Sequence, residues 1–258
     1  MKEVTKKEST EVTNVNNAMF EGTLDTNISA SELVIPKLIL AQPGSPQVIA
    51  GDWMFGDLRS TLDDSLMAAA GKGDKAGKHL EFTPIHHQKF WLTKRKENGK
   101  FKFETMEQIS SKNEHLDAFE TWNGSDGIER KREFLHLFYI LIPGFPLPFT
   151  LGFRGASKRN GDKLVTQMYV INKMLKTEET WKRSPFAKAM KVVVRKESKN
   201  DNNYAVLDIS VLRDSTYDEA CEALRWFKEV KSGTTKVDNS DLEQESKYSE
   251  ADVDSLAF

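Results

Sequence analysis

The chain has 258 residues, 37 of them Lys or Arg and 39 Asp or Glu, a formal net charge of −2. Its one cysteine, Cys221, excludes an internal disulfide framework and a cysteine-based zinc site. No run approaches the ~20 apolar residues of a membrane span and no apolar segment follows the charged N-terminus, so a soluble, cytoplasmic protein is expected.

Residues 1–32 read as a flexible polar leader, and residues 33–233 as one folded domain. Leu33 to Leu40 is a short apolar run broken at Pro36, and Pro43-Gly44-Ser45-Pro46 turns the chain, which predicts an edge strand or an extended arm docked on the core. Ala68 to Lys78 is a Gly/Lys-rich loop without the spacing of a phosphate-binding loop. Leu80 to Ile85 alternates. Phe90 to Lys96 and Lys100 to Thr105 then flank Asn98-Gly99, a pair suited to a two-residue turn with positive φ at both positions.

Phe134 to Ile142 is nearly all apolar and predicts a central strand, turned by Pro143-Gly144. Leu147, Phe149, Leu151 and Phe153 alternate along the next one. Lys163 to Lys176 places Leu164, Met168, Ile171 and Leu175 on a helical stripe, and Lys191 to Lys196 with Tyr204 to Leu212 predicts another hairpin. Thr216-x-x-Glu219 is a capping box opening a last helix with Ala220, Leu224, Phe227 and Val230 inward. Strands and helices do not alternate regularly, so a doubly wound sheet is excluded. The expected fold is mainly β with α, an OB-fold-like antiparallel barrel with an inserted helix and a C-terminal helix.

Charge is segregated along the chain. Residues 237–258 hold seven carboxylates and one lysine and end on Leu256-Ala257-Phe258. Residues 33–236 hold 33 basic and 26 acidic groups, a net +7. Residues 234–258 therefore read as a disordered acidic tail, because so polar a segment buries too little to offset its ordering entropy. A basic body with an acidic end is expected of a protein that binds a polyanion. The terminal aromatic beside a free carboxylate suits an apolar pocket ringed by cations, or it is an incidental end residue.

With a two-residue turn, Glu97 faces Lys100, Lys96 faces Phe101, Arg95 faces Lys102, Lys94 faces Phe103 and Thr93 faces Glu104. That register places Lys94, Lys96, Phe101 and Phe103 on one face. Rings interleaved with ammonium groups suit single-stranded nucleic acid, the rings stacking on bases and the lysines tracking phosphates. The other reading puts Phe101 and Phe103 into the core with the lysines reaching out to water. Trp91 shares the opposite face with Arg95 and Lys102. Trp53 and Trp122 sit in polar loops, exposed platforms or caps folded back on the barrel.

Phe153-Arg154-Gly155-Ala156-Ser157-Lys158-Arg159 follows a strand and precedes a helix, a solvated loop or a phosphate-binding one. Trp181-Lys182-Arg183 is a weaker cluster of the same kind. Catalysis finds little support: His86 and His87 point to opposite faces of a strand, His79, His115 and His136 are scattered, and Asp63-Asp64 stands alone. No enzyme activity, cofactor or metal is expected.

The tail Glu250-Ala251-Asp252-Val253-Asp254-Ser255-Leu256-Ala257-Phe258 and the block Leu147 to Ser157, followed by a helix and a hairpin, resemble phage-type single-stranded-DNA-binding proteins. The tip is Leu-Ala-Phe rather than Ile-Pro-Phe, and the Gly/Pro/Gln-rich linker is absent. The resemblance implies an OB-fold body that coats single-stranded DNA without sequence preference in the bacterial cytoplasm. It also implies recruitment of replication or recombination proteins through Asp252, Asp254, Leu256 and Phe258. An RNA-binding or strand-annealing protein, and a phage-encoded inhibitor or adaptor that binds proteins, are the alternatives. Oligomeric state stays open.

Overall fold

The computed structural model describes residues 33–71, 77–174, 180–199, 202–232 and 236–237. The leader at 1–32, the tail beyond Val237 with Asp252, Asp254, Leu256 and Phe258, and Leu175 lie outside the described residues. The strands are β1 (Val34–Ile35), β2 (Lys37–Leu40), β3 (Asp57–Ser60), β4 (Leu66–Ala69), β5 (Leu80–Glu97), β6 (Lys100–Gln108), β7 (Thr121–Asn123), β8 (Glu129–Leu141), β9 (Phe149–Phe153), β10 (Lys188–Lys199), β11 (Asn202–Asp214) and β12 (Lys236–Val237). The helices are α1 (Pro46–Ile49), α2 (Lys158–Met174) and α3 (Tyr217–Lys231).

The protein is mainly β. Ten strands form one curled sheet in the order β11-β10-β5-β8-β9-β2-β3-β4, with β6 beside β5 and β7 beside β8. The all-antiparallel expectation is corrected, because β2 runs parallel to β9 through Lys37↔Thr150 and Leu38↔Leu151. Pro36 separates β1 from β2, as its ring predicts, and its carbonyl accepts from the Thr150 amide at 2.8 Å. The apolar run around it is no edge arm: β2 lies between β3 and β9. Lys236–Val237, expected within the disordered tail, instead pairs with β1 in parallel.

Curling brings β4 against β10 and leaves a half-barrel. The edge of β11 is met by side chains at Ala205 and Leu207. The Gln42 amide donates to the Ala205 carbonyl and accepts from the Ala205 amide, each at 2.9 Å. Asn160 Nδ2 donates to the Leu207 carbonyl at 2.6 Å, and the Leu207 amide donates to Ser157 Oγ at 3.3 Å. Such pairing blunts, at these positions, the template that a bare edge offers to other chains.

Two cores flank the sheet. Inside the curl, Phe82, Phe138, Phe149, Leu151, Phe153 and Met190 pack with Leu164 of α2. On the outer face, Ile85, Leu137, Tyr139 and Leu141 pack under α3 and Phe186. Each such buried side chain contributes about 1.5–3 kcal/mol through the water it leaves.

α2 begins at Lys158, five residues before the predicted start at Lys163, behind a single 3-10 turn at Gly155–Ser157. The capping box of α3 is present in both directions. Its inner face is rotated from the prediction, with Ala223 and Trp226 buried alongside Ala220 and Val230 while Leu224 is exposed. Two small alanines let the helix approach the sheet and turn the indole inward.

A candidate nucleic-acid interface

The ribbon of β5, β6 and the first half of β8 projects beyond α3 and carries most of the predicted site residues. Asn98 and Gly99 have φ of 50° and 82°, so the turn forms as its residues require. Lys94↔Phe103, Arg95↔Lys102, Lys96↔Phe101 and Glu97↔Lys100 pair as expected. Thr93 pairs with Thr105 rather than Glu104, because a bulge between Thr93 and Lys94 leaves Glu104 without an opposite residue. Glu104 thereby reaches Arg130, which it holds through two bonds of 2.8 Å.

The face containing Trp91 is closed. Trp91 is 5% exposed and its indole N–H donates to the Asn113 carbonyl at 2.9 Å, so the loop after β6 covers it. Its edge meets Phe134 at 5.3 Å between ring centroids. Charges on this face are cancelled in place. Arg95 pairs with Glu97, Lys102 with Glu97 at 3.3 Å and Arg132 with Glu120. Arg130 sits between Glu104 and Asp126, and its hydrogen bonds drive the Asp126 carboxyl far below the usual range. Trp122 is half-buried under the Arg132 guanidinium, 4.6 Å from its ring centroid.

The opposite face forms a partly exposed trough. Lys96 and Lys131 stand 5.8 and 5.9 Å from the half-buried ring of Phe101, and Lys131 also stands 5.4 Å from the exposed ring of Phe119. Lys94 pairs with Glu133 and Lys96 with Glu129, each at 2.7 Å. Phe103 is half-buried and packs on the outer core. Farther along, Arg154 and Lys37 join Leu92, Leu135 and Leu137 in lining the trough's inner end. Along the ribbon, Lys94, Lys96 and Lys131 share this face with two carboxylates among the described residues, Glu129 and Glu133. Burial would raise the Glu133 carboxyl, but Lys94, Arg154 and Lys131 outweigh it and hold the group below its ordinary range.

The third predicted cluster is divided by the fold. Phe153, expected at the interface, is fully buried against Phe138, because the alternation of β9 sends it inside the curl. Arg154, one residue on, faces the trough. Lys158 turns to the concave side, pairing with Asp162 at 2.9 Å over the Phe134 ring. Arg159 is exposed on α2. Trp53, a loop platform in expectation, is buried with Arg59 over its ring.

Sequence reasoning did not single out Lys37, Phe119 or Lys131. Lys131 was legible, since it shares the parity of Leu135 and Leu137 on β8. Phe119 and Lys37 reach the trough only through tertiary placement. His136, read as scattered, stands beside His87: the ring nitrogens His87 Nε2 and His136 Nδ1 are 2.9 Å apart, and His136 Nε2 lies 2.8 Å from Asp162 Oδ1. His86 faces the other way, toward Tyr139 and Phe227. Among the described residues no group of three or more His, Cys, Asp or Glu could hold a metal ion, and no helix is long and apolar enough to cross a membrane.

Comparison with protein-family models, with curated proteins and with solved structures returns no match.

Proposed function

We propose that this chain binds single-stranded DNA without sequence preference and acts as a coating protein in DNA replication or recombination, in the cytoplasm of a bacterial host. The observation that carries the reading is the asymmetry of the ribbon. One face interleaves Phe101, Phe103 and Phe119 with Lys94, Lys96 and Lys131, while the other covers its tryptophan and holds its cations in ion pairs. Rings accept stacked bases of any sequence, and lysines held near but not buried by carboxylates can exchange them for phosphates. In this reading the curled half-barrel serves as an OB-fold-like platform, the acidic tail recruits replication or recombination proteins, and no catalytic step is involved.

Fluorescence anisotropy with labelled oligo-dT, duplex DNA and oligo-U tests it. Preferential binding of oligo-dT is expected, weakened about tenfold by Phe101→Ala, in keeping with ~1–3 kcal/mol per stacked base. Equal affinity for all three ligands, or for none, would refute the proposal. Preference for oligo-U would favour the RNA-binding alternative.

A further inference from the structure

Among the described residues, the non-glycine residues with positive φ are Asp64, Asn98 and Phe119, at 56°, 50° and 66°. Asp and Asn visit this left-handed region readily, because their short polar side chains can bond locally. For a bulky aromatic residue it is an outlier, and such strain persists only where the surroundings over-determine it. Here they do. The Phe119 amide donates to the Arg132 carbonyl at 2.7 Å, and the Arg132 amide donates to the Glu120 carbonyl at 2.9 Å. The Arg132 guanidinium also pairs with Glu120 and covers Trp122, so this loop is stitched to β8 at Arg132.

Burial of the ring does not offset the strain, since Phe119 is 52% exposed. Asparagine at this position would keep both backbone bonds without the conflict. What the conformation achieves is placement. The side chains of Arg132 and Trp122 belong to the face of Trp91, yet Phe119 stands beside Lys131 on the other face. The Lys131 ammonium lies 5.4 Å from the Phe119 ring centroid and 5.9 Å from that of Phe101. One cation is thus held between two rings carried by separate segments, β6 and the loop before β7. Lys94 and Lys96, by contrast, are held by Glu133 and Glu129. A phosphate can draw the Lys131 ammonium away from the rings and leave both aromatic faces to bases.

We infer that Phe101, Lys131 and Phe119 form a two-base step, in which neighbouring bases of one strand lie on the two rings and the phosphate between them meets Lys131. The inference rests on the single-strand reading above and deepens it. Phe119 becomes the second stacking residue, and its left-handed backbone is the device that presents the ring before a strand arrives, which lowers the ordering cost of binding.

The test compares full-length Phe119→Asn, Phe119→Tyr, Phe101→Ala and Lys131→Gln by anisotropy on oligo-dT and by urea unfolding. Phe119→Asn should unfold at the same or a higher urea concentration than the parent and yet bind oligo-dT about tenfold more weakly, the loss of one stacked base. Phe119→Tyr should bind as the parent does. Lys131→Gln should make the log–log salt slope shallower by roughly one, as for one lost phosphate contact. With the dinucleotide dTpdT, both thymine methyl signals should move upfield on the parent and only one on Phe119→Asn. A lower urea midpoint for Phe119→Asn would overturn the inference, since the ring would then serve the fold. Unchanged binding by Phe119→Asn, with Phe101→Ala still weakened, would overturn the two-base step and leave the single-strand reading standing. Failure of the parent itself to bind oligo-dT would remove both.

Discussion

At the scale of single residues, the chain His87–His136–Asp162 ties two central strands to the first turn of α2. Asp162 is held below its usual range: burial raises it, but Lys158 and His136 outweigh that. An ionised Asp162 accepts from His136 Nε2–H, which leaves His136 Nδ1 to accept from His87 Nε2–H. Both imidazoles are thus neutral. Burial, then the neighbouring His136, Lys89 and His86, lower His87 to about 3, with Asp162 opposing them, and burial also lowers His136 and His86. The unfolded chain takes these protons near the ordinary histidine value while the folded one refuses them. Their stabilising contribution is therefore complete above about pH 6.5 and is lost as pH falls toward about 3. Thermal melts from pH 7 to pH 5 should show a steadily falling midpoint, up to ~1.4 kcal/mol per pH unit for each excluded proton. His87→Gln keeps a donor for His136 and should flatten part of the fall. A midpoint that holds or rises on acidification would contradict the assignment.

At the scale of elements, the edge of β11 depends on side chains from two distant segments. Gln42 follows β2, and Ser157 and Asn160 come from the entry to α2, so the same bonds that protect the edge also fasten the half-barrel. Gln42→Ala leaves an amide and a carbonyl of Ala205 without their partners. The expected loss is about 1–3 kcal/mol in urea unfolding, the cost of unsatisfied part-buried polar groups. An unchanged urea midpoint would mean that packing alone holds the edge. The ribbon is secured differently, by the Asn98-Gly99 turn and by ion pairs that cross from β5 and β6 to β8.

For the whole molecule, the arrangement of charge matters more than its total. Residues 89–134, which hold the ribbon, contain ten basic and nine acidic residues, so sequence composition alone assigns them little attraction for a polyanion. Sorting by face changes this, since among the described ribbon residues Lys94, Lys96 and Lys131 lie with Glu129 and Glu133 in the trough, while Arg95, Lys102, Arg130 and Arg132 pair with Glu97, Glu104, Asp126 and Glu120 on the other face. If three to five phosphates are engaged there, log affinity for oligo-dT should fall against log salt with a slope of roughly −2 to −4. Removing residues 238–258, with their net −6, leaves β12 in place and should tighten binding at low salt, and the difference should vanish at high salt as screening erases the competition. A slope near zero, or no effect of removing the tail, would argue against phosphate contacts in the trough.

By itself the sequence determined what is local. The Asn98-Gly99 turn set the register from Lys94 to Lys100 because positive φ admits few residues. The period of two placed Phe149, Leu151 and Phe153 on one face, and Thr216 with Glu219 marked the start of α3. Tertiary structure decided which face meets water. Alternation sorts side chains into two sets but does not say which set is covered, and here the loop carrying Asn113 shuts over Trp91 while Phe101 on the other face stays half-exposed. The bulge at Glu104, the pairing of His87 with His136, and the placement of Lys37 and Arg154 around one cavity likewise depend on partners far along the chain, because their energies exist only once the sheet has curled.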